Sequence, residues 1–269
     1  MIYSGDEMKD VIYIIVSLFS TLIGSISGMG GGVIMKPIFD MLGDYSAFQI
    51  SVLTSSTVFA MSAVSVGMST KKFKQEKEKS KTIFCVASGS LVGGLIGDFI
   101  FNFLVKSLND NSVKAVQNAV LLILVIAVII YMNSKNRKSL ERNNNLVGIP
   151  VGLMLGIISA FLGIGGGPIN VAVLIFVFGF EIKTAVICSL SSVLFCQFMK
   201  LISIVFNHGA QAFNMKILIF VVIAGVIGAL CGRIINRKLS DKAVNGVYTA
   251  VQVIVIAMCF VNIYRSIFA

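Results

Sequence analysis

Long apolar runs alternate with short polar connectors from one end of the chain to the other. Six runs have the length that crosses a bilayer as a helix, about 20 residues. They are 47–68, 82–104, 112–132, 184–206, 215–235 and 244–268. Two further apolar stretches, 11–43 and 146–180, are too long for one helix, and each is cut by a glycine cluster. The first cluster reads Gly28-Met-Gly-Gly-Gly32 and the second Gly163-Ile-Gly-Gly-Gly167. The pattern predicts an all-α polytopic membrane protein with no attached soluble domain.

The two clusters reveal an internal repeat. A shift of 135 places Gly28, Gly30, Gly31 and Gly32 on Gly163, Gly165, Gly166 and Gly167. The same shift places Gly93, Leu95 and Gly97 on Gly228, Leu230 and Gly232, and Ala115-Val-Gln117 on Ala250-Val-Gln252. A local shift of 138 would instead match Ala47 and Ser51 to Ala185 and Ser189, so the register just after each break stays open. The first repeat is expected over 1–145 and the second over 146–269. Each would be a glycine-broken hairpin (11–43 or 146–180) followed by three transmembrane helices.

Composition agrees with the runs. The chain has 269 residues, 57% of them hydrophobic and only 13% charged, where soluble chains carry roughly a quarter charged. The net charge of +10 points to topology rather than to nucleic acid. The connectors 71–81, 135–142 and 233–242 hold 14 of the 22 Lys and Arg residues and are expected in the cytoplasm. The connectors 105–113 and 207–215 and both termini are poor in them and are expected outside the cell membrane. That assignment requires each glycine-broken region to enter and leave on one side. Each repeat then crosses an odd number of times, and the second copy is expected upside down relative to the first. The acidic N-terminus (Asp6, Glu7 and Asp10 against Lys9) reads as a retained helix rather than a secretory signal. Five cysteines without a CxxC pair suggest neither a disulfide framework nor a zinc site, and no cofactor is implied.

Interrupted helices at matching places in inverted repeats are the strongest sequence pointer to a transporter's binding site. Val33–Leu42 and Ile169–Val177 are about ten residues each, roughly 15 Å of helix or half the hydrocarbon thickness. Their N-termini are expected near the midplane, one from each side. The N–H groups of Gly30, Gly31, Gly32, Gly165, Gly166 and Gly167 carry no side chain to obstruct a ligand, and a helix start adds partial positive charge. Pro168 suits a first helical position. Two such ends facing each other would cradle a small anion. The alternative is that the glycines only let helices approach closely, as the Gly93/Gly97 and Gly228/Gly232 pairs are expected to do.

The motifs Gly28-Met-Gly-Gly-Gly-Val-Ile-Met-Lys-Pro37 and Gly163-Ile-Gly-Gly-Gly-Pro-Ile-Asn170 resemble the paired GxGGG signatures of the TauE/SafE (TSUP) family. The likeness covers essentially the whole chain. It implies a transporter of a small, sulfur-containing anion such as sulfite, thiosulfate or a sulfonate, and fixes neither substrate nor direction. One departure is Pro37, matched by Ala172 in the second copy.

Hydroxyl-rich stretches follow each break: Ser51, Thr54, Ser55, Ser56 and Thr57, then Ser189, Ser191 and Ser192. They can donate to oxyanion oxygens or bond back to their own helix. Asn170, one turn into the second half-helix, is a further donor candidate, with Ser27 and Ser159 weaker ones. Lys36 would supply positive charge, although Asp40 at i+4 would neutralise it. Gln117 and Gln252 are expected to make interhelical hydrogen bonds. Asp98 and Lys200 are expected to snorkel to the interface, and His208 to lie in an outside loop. The partners are then a small anion, the lipid bilayer and a coupling ion that no acidic cluster identifies. A passive channel and a membrane assembly protein are the competing readings. An intramembrane enzyme lacks any HExxH, GxGD or serine–histidine arrangement.

Overall fold

A computed structural model of the chain describes residues 5–69, 77–134, 139–142, 144–208 and 215–268. Most of the basic connector 71–81, residues 135–138 and the side chain of His208 lie outside the described residues. The described residues are helical, with ten α-helices. The first half contains α1 (Gly5–Ser27), α2 (Gly32–Leu42), α3 (Ala47–Gly67), α4 (Lys77–Ser107) and α5 (Asp110–Asn133). The second contains α6 (Gly148–Leu162), entered through a 3-10 turn, then α7 (Gly167–Phe178), α8 (Ile182–His208), α9 (Met215–Lys238) and α10 (Asp241–Phe268). Eight of these, all but α2 and α7, belong to segments long and apolar enough to cross a membrane. The six expected spans appear as α3–α5 and α8–α10, and α4 starts five residues earlier than its apolar run because its first turns are the charged Lys77–Lys81.

The breaks fall where the glycines are. At Gly28 φ is +76° and at Gly166 +85°, backbone that residues with a Cβ avoid, so neither stretch continues as one helix. The next element begins with a sequence-encoded cap. Ser46 Oγ accepts from the Gln49 N–H at 3.2 Å, and Gln49 Oε1 accepts from the Ser46 N–H at 3.0 Å. This capping box starts α3.

Each broken region is a hairpin whose two ends lie together. Lys9 Nζ in α1 pairs with Asp44 just beyond α2 at 2.5 Å. In the second hairpin the Leu140 and Arg142 N–H groups donate to the carbonyls of Phe176 and Val177 at the end of α7, at 2.7 and 3.0 Å. Helix α5 links the two mouths. Its Asp110 accepts from the Ala47 N–H at 2.6 Å and lines a cavity with Asp44 and Arg265 at the first mouth. Its Met132 lines another with Ile175 and Phe180 at the second mouth. The 24 residues of α5 span about 36 Å, so the hairpins open at opposite ends of it.

Packing is reciprocal between the halves. Helix α1 packs on α9, and its counterpart α6 packs on α4; α3 and α8 pair with each other, as do α5 and α10. Glycines make the first two contacts possible. A Cβ at Gly89, Gly93 or Gly97 of α4 would land on the carbonyls of Ile149, Leu153 and Ile157, and one at Gly228 or Gly232 of α9 on those of Leu18 and Leu22. These are close small-residue crossings of the kind that bind helices in lipid. Helices α3 and α8 are the most enclosed, while Phe99, Phe103, Ile123, Ile130, Val253 and Phe260 leave apolar faces of α4, α5 and α10 open to lipid.

Candidate functional site

The two glycine breaks touch. A Cβ on Gly30 would lie 3.1 Å from the Gly165 carbonyl, one on Gly32 would meet the Ile164 carbonyl, and Val33 packs on Gly167. The contact falls beside Val58 and Val193, roughly halfway along α3 and α8. Each break leaves a backbone carbonyl without a helical partner, and each is met from the other half. Thr54 Oγ1 on α3 lies 2.8 Å from Gly163 O and shares its proton with the Ile50 carbonyl, also at 2.8 Å, while Ser189 Oγ on α8 donates to Gly28 O at 3.0 Å. Non-helical backbone at this depth needs such partners. Thr54 and Ser189 correspond under the shift of 135, so that register continues past the breaks. Losing one of these bonds should cost about 1 kcal/mol, within the range for interhelical bonds in membranes. Thr54→Val and Ser189→Ala should therefore lower the thermal midpoint in detergent by a few degrees each; no change would show that other donors cap the carbonyls.

The chemistry around the two breaks differs sharply. The first is sealed. Gly31 N–H donates to Met61 Sδ at 3.2 Å, the Met35 N–H closes onto Gly31 O at 3.0 Å, and Thr21 stands where a Gly31 Cβ would go. The surrounding side chains Met29, Val33 and Met35 are fully buried and apolar.

The second break is polar. Lys200, on α8, is 0% exposed and donates to Ser51 Oγ and to the Ala160 carbonyl, both at 2.7 Å. Its ammonium also sits 4.8 Å above the Phe101 ring and 3.6 Å from the point a Gly163 Cβ would occupy. Among the described residues no carboxylate pairs with it. Gln197, one turn earlier on α8, brings Nε2 within 3.5 Å of the same point at Gly165. A Cβ on Gly166 would collide with the Asn170 amide and lie 2.7 Å from Ser159 Oγ. Ser159 Oγ and both amide atoms of Asn170 and of Gln197 are buried with no protein partner, as is Ser55 Oγ one turn along α3 from Ser51. Each unsatisfied buried group costs about 1–3 kcal/mol, and an unpaired buried charge costs more. Such a collection is stable only if something polar and small completes it. Ammonium, amides, hydroxyls and the positive start of α7 together favour negative charge.

Nearby, Asp98 on α4 is 0% exposed and accepts from Asn102 Nδ2 at 2.9 Å and Ser203 Oγ at 2.6 Å, leaving Oδ1 without a partner. Asn102 and Ser203 in turn line a cavity of about 310 Å³ that carries Lys106. Asp98 and Lys200 were both expected to snorkel. The structure corrects both, because each finds neutral hydrogen-bond partners on facing helices and never reaches the interface.

Of the residues singled out in the sequence, Gly30, Gly31, Gly32, Gly165, Gly166, Gly167 and Asn170 come together at the junction. Four others are engaged elsewhere. Ser191 bonds back to the Ile187 carbonyl at 2.9 Å, and Ser192 pairs with Ser90 Oγ on α4. Ser56 is only half-buried, off the enclosed face of α3 that holds Ser51 and Ser55. Lys36 is buried and bound to Asp40 Oδ2 at 2.8 Å, which also accepts from Asn118 Nδ2 at 3.0 Å. Breaking that pair from one side leaves a lone buried charge, which costs about 3–5 kcal/mol. Lys36→Met should therefore be markedly destabilised, and adding Asp40→Leu should restore most of the loss in thermal unfolding. Equal melting of the single and double variants would remove the pairing argument. Gln117 makes the expected interhelical bond, donating to the Phe161 carbonyl at 2.6 Å, whereas the Gln252 amide has no protein partner.

Ser51 was named among the hydroxyl candidates, whereas Lys200 and Gln197 were not chosen from the sequence as site residues. A signal was present: Ser189, Val193, Gln197 and Lys200 form one stripe at helical spacing on α8, and its first member follows a break.

Known proteins resemble the chain over most of its length. Over 86% of its length, matching 88% of the relative, the chain is 27% identical to the probable membrane transporter protein MJ0441 of Methanocaldococcus jannaschii. Over 97%, matching all of the relative, it is 24% identical to the probable membrane transporter protein YunE of Bacillus subtilis (strain 168). No solved structure matches. The family model described as sulfite exporter TauE/SafE matches residues 13–259, which include both breaks, the central pair α3 and α8, and the Lys200 cluster. With eight candidate spans and two broken hairpins meeting inside them, this multi-pass membrane protein belongs to the TauE/SafE family of transporters.

Proposed function

We propose that the protein carries a small oxyanion across the cell membrane by alternating access, binding it at the glycine junction on the side of the second break. The observation that carries this reading is Lys200: a fully buried ammonium that shares its site with unsatisfied donors and has neutral partners only. Buried Asp98 lies close by, bonded to Ser203 one turn along α8; an oxyanion would add negative charge and several acceptors in one compact group directly at the free donors. The hairpins opening at opposite ends of α5 support two halves inverted in the membrane, and rocking one half against the other would expose the junction to each side in turn. Sulfite, thiosulfate and short sulfonates fit the donor set, and the family's description favours a sulfur oxyanion.

Purified protein would be melted with sulfite, thiosulfate, sulfate, short sulfonates, carboxylates and nitrate, and then assayed for flux in reconstituted vesicles. A ligand held at 100 times its Kd adds about 2.7 kcal/mol of stability, a shift of several degrees. Stabilisation by one sulfur oxyanion, with flux of the same ion, is the expected result. Melting unaffected by every anion, in protein that stays monodisperse, would overturn the reading.

A further inference from the structure

The shift of 135 that relates the two halves places Arg233 on Asp98, so the equivalent position carries opposite charge at the two ends of the molecule. Asp98 lies beside the cavity of Asn102 and Ser203. Arg233 lies beside a different cavity, of about 220 Å³, bounded by Ser69, Lys183, Arg233, Asn236 and Arg237. This cavity lies where α3 and α9 end and α8 begins.

Arg233 is 4% exposed. Its Nε donates to Ser69 Oγ at 3.1 Å, its Nη2 reaches the same oxygen, and its Nη1 meets Asn236 Oδ1 at 3.3 Å. Asn236 is itself fixed on the Ile26 carbonyl at 2.5 Å, on the last turn of α1 before the first break. Arg237 holds the Met68 carbonyl. Among the described residues neither arginine has a carboxylate partner. At the rim, Asp241, 54% exposed, pairs with Lys183 at 3.5 Å. A guanidinium cannot shed its proton, so a buried one held by neutral oxygens leaves its charge uncompensated.

We infer that this cavity is a second binding site, for a tetrahedral oxyanion held by the fork of Arg233 with Arg237 and Lys183 around it. Fork geometry suits a planar pair of oxygens on phosphate or sulfate. The occupant's chemistry is shared by a free sulfur or phosphorus oxyanion and by the phosphate of an anionic lipid headgroup. The site stands apart from the Lys200 cluster and does not require it.

Binding of radiolabelled sulfate would be measured on the full chain in delipidated detergent. The same protein would then be melted in nanodiscs of phosphatidylcholine alone and with added phosphatidylglycerol. Wild type and Lys200→Met should both retain this site. Arg233→Gln with Arg237→Gln should lose at least tenfold in apparent sulfate affinity, and Arg233→Lys should lie between. If sulfate does not bind but phosphatidylglycerol stabilises wild type and not the double variant, the occupant is the headgroup, and the site stands. Should Arg233→Gln fail to fold, the half-buried Lys183→Gln with the exposed Arg237→Gln tests the same field from the rim and should weaken binding several-fold. Sulfate and lipid responses indifferent to all these changes would overturn the site. Sulfate binding that disappears in Lys200→Met alone would assign the ligand to the junction and do the same.

Discussion

Lys200→Met is expected to abolish flux and the stabilisation that the transported anion gives at the junction, while leaving the unliganded protein folded and the response of the Arg233 cavity unchanged. The apolar stem of Lys200 already packs among buried groups, and methionine fills much the same volume with an adaptable chain. What disappears is the ammonium, and with it the site's only full charge in contact with the break. Truncating one partner of a buried, hydrogen-bonded charge pair costs about 2–5 kcal/mol of binding, at least roughly 30-fold in affinity. The free protein should melt somewhat lower but stay folded, because Asp98 loses a nearby cation yet keeps its bonds to Asn102 and Ser203. Lys200→Arg should keep partial binding, because the charge survives but its reach toward Ser51 and the Ala160 carbonyl changes. A titration of the melting curve with the stabilising anion decides the matter. If Lys200→Met responds to the anion as wild type does, the lysine is a packing element and the site lies elsewhere.

The second large effect concerns stability. Gly152→Val should prevent accumulation of monodisperse protein. A Cβ at Gly152 would sit on the Val86 carbonyl, with neighbouring positions Gly148 and Gly156 already against Cys85 Cβ at 2.9 Å and Ser90 O at 2.6 Å. The atoms in the way are mostly backbone of α4, so relief requires the two helices to separate along their whole seam. Overpacking costs typically 1–3 kcal/mol where side chains can yield, and the cost here should exceed about 3 kcal/mol. Gly246→Val is the control, because nothing stands within 4 Å of its Cβ position; it should melt like wild type. Monodisperse Gly152→Val with an unchanged midpoint would mean that α4 and α6 do not meet backbone to backbone.

Valine at Gly31 or Gly166 is a poor probe of ligand binding for the same reason. At Gly31 the obstruction is Thr21, including its backbone at 2.8 Å, and at Gly166 both the side chains and the positive φ oppose any substitution. Loss of binding in those variants would report a broken junction rather than a lost contact.

The large features were legible in the sequence because they repeat or run long. Apolar runs marked the spans, and the shift of 135 paired the glycines. Site chemistry was legible only in part. The serines of 189–192 look alike in sequence, yet Ser189 serves the opposite break, Ser191 its own helix and Ser192 the α4 seam. Those fates depend on which helix lies across from each hydroxyl, and sequence spacing does not encode that. Lys200 was assigned to the interface from its distance to the helix end. Its destination was set instead by the Ala160 carbonyl in the last turn of α6, which also accepts the Gly163 N–H, and by Ser51 across from it. Asn170, by contrast, could be placed because its neighbour in space is also its neighbour in sequence.

The reciprocal packing of α1 on α9 bears on how the chain is made. A ribosome adding about 5–20 residues per second takes roughly 10–40 s to pass from the end of α1 to the start of α9. Throughout that interval Ser17, Thr21 and Ser25, all buried in the finished protein, have no α9 to face. Ser17 must wait for the Val221 carbonyl it finally meets at 2.7 Å. The first half therefore leaves the insertion machinery with a polar stripe turned to lipid or to a chaperone. Truncation before α9 should yield a product recognised as unfinished and degraded, however correctly its own helices have inserted.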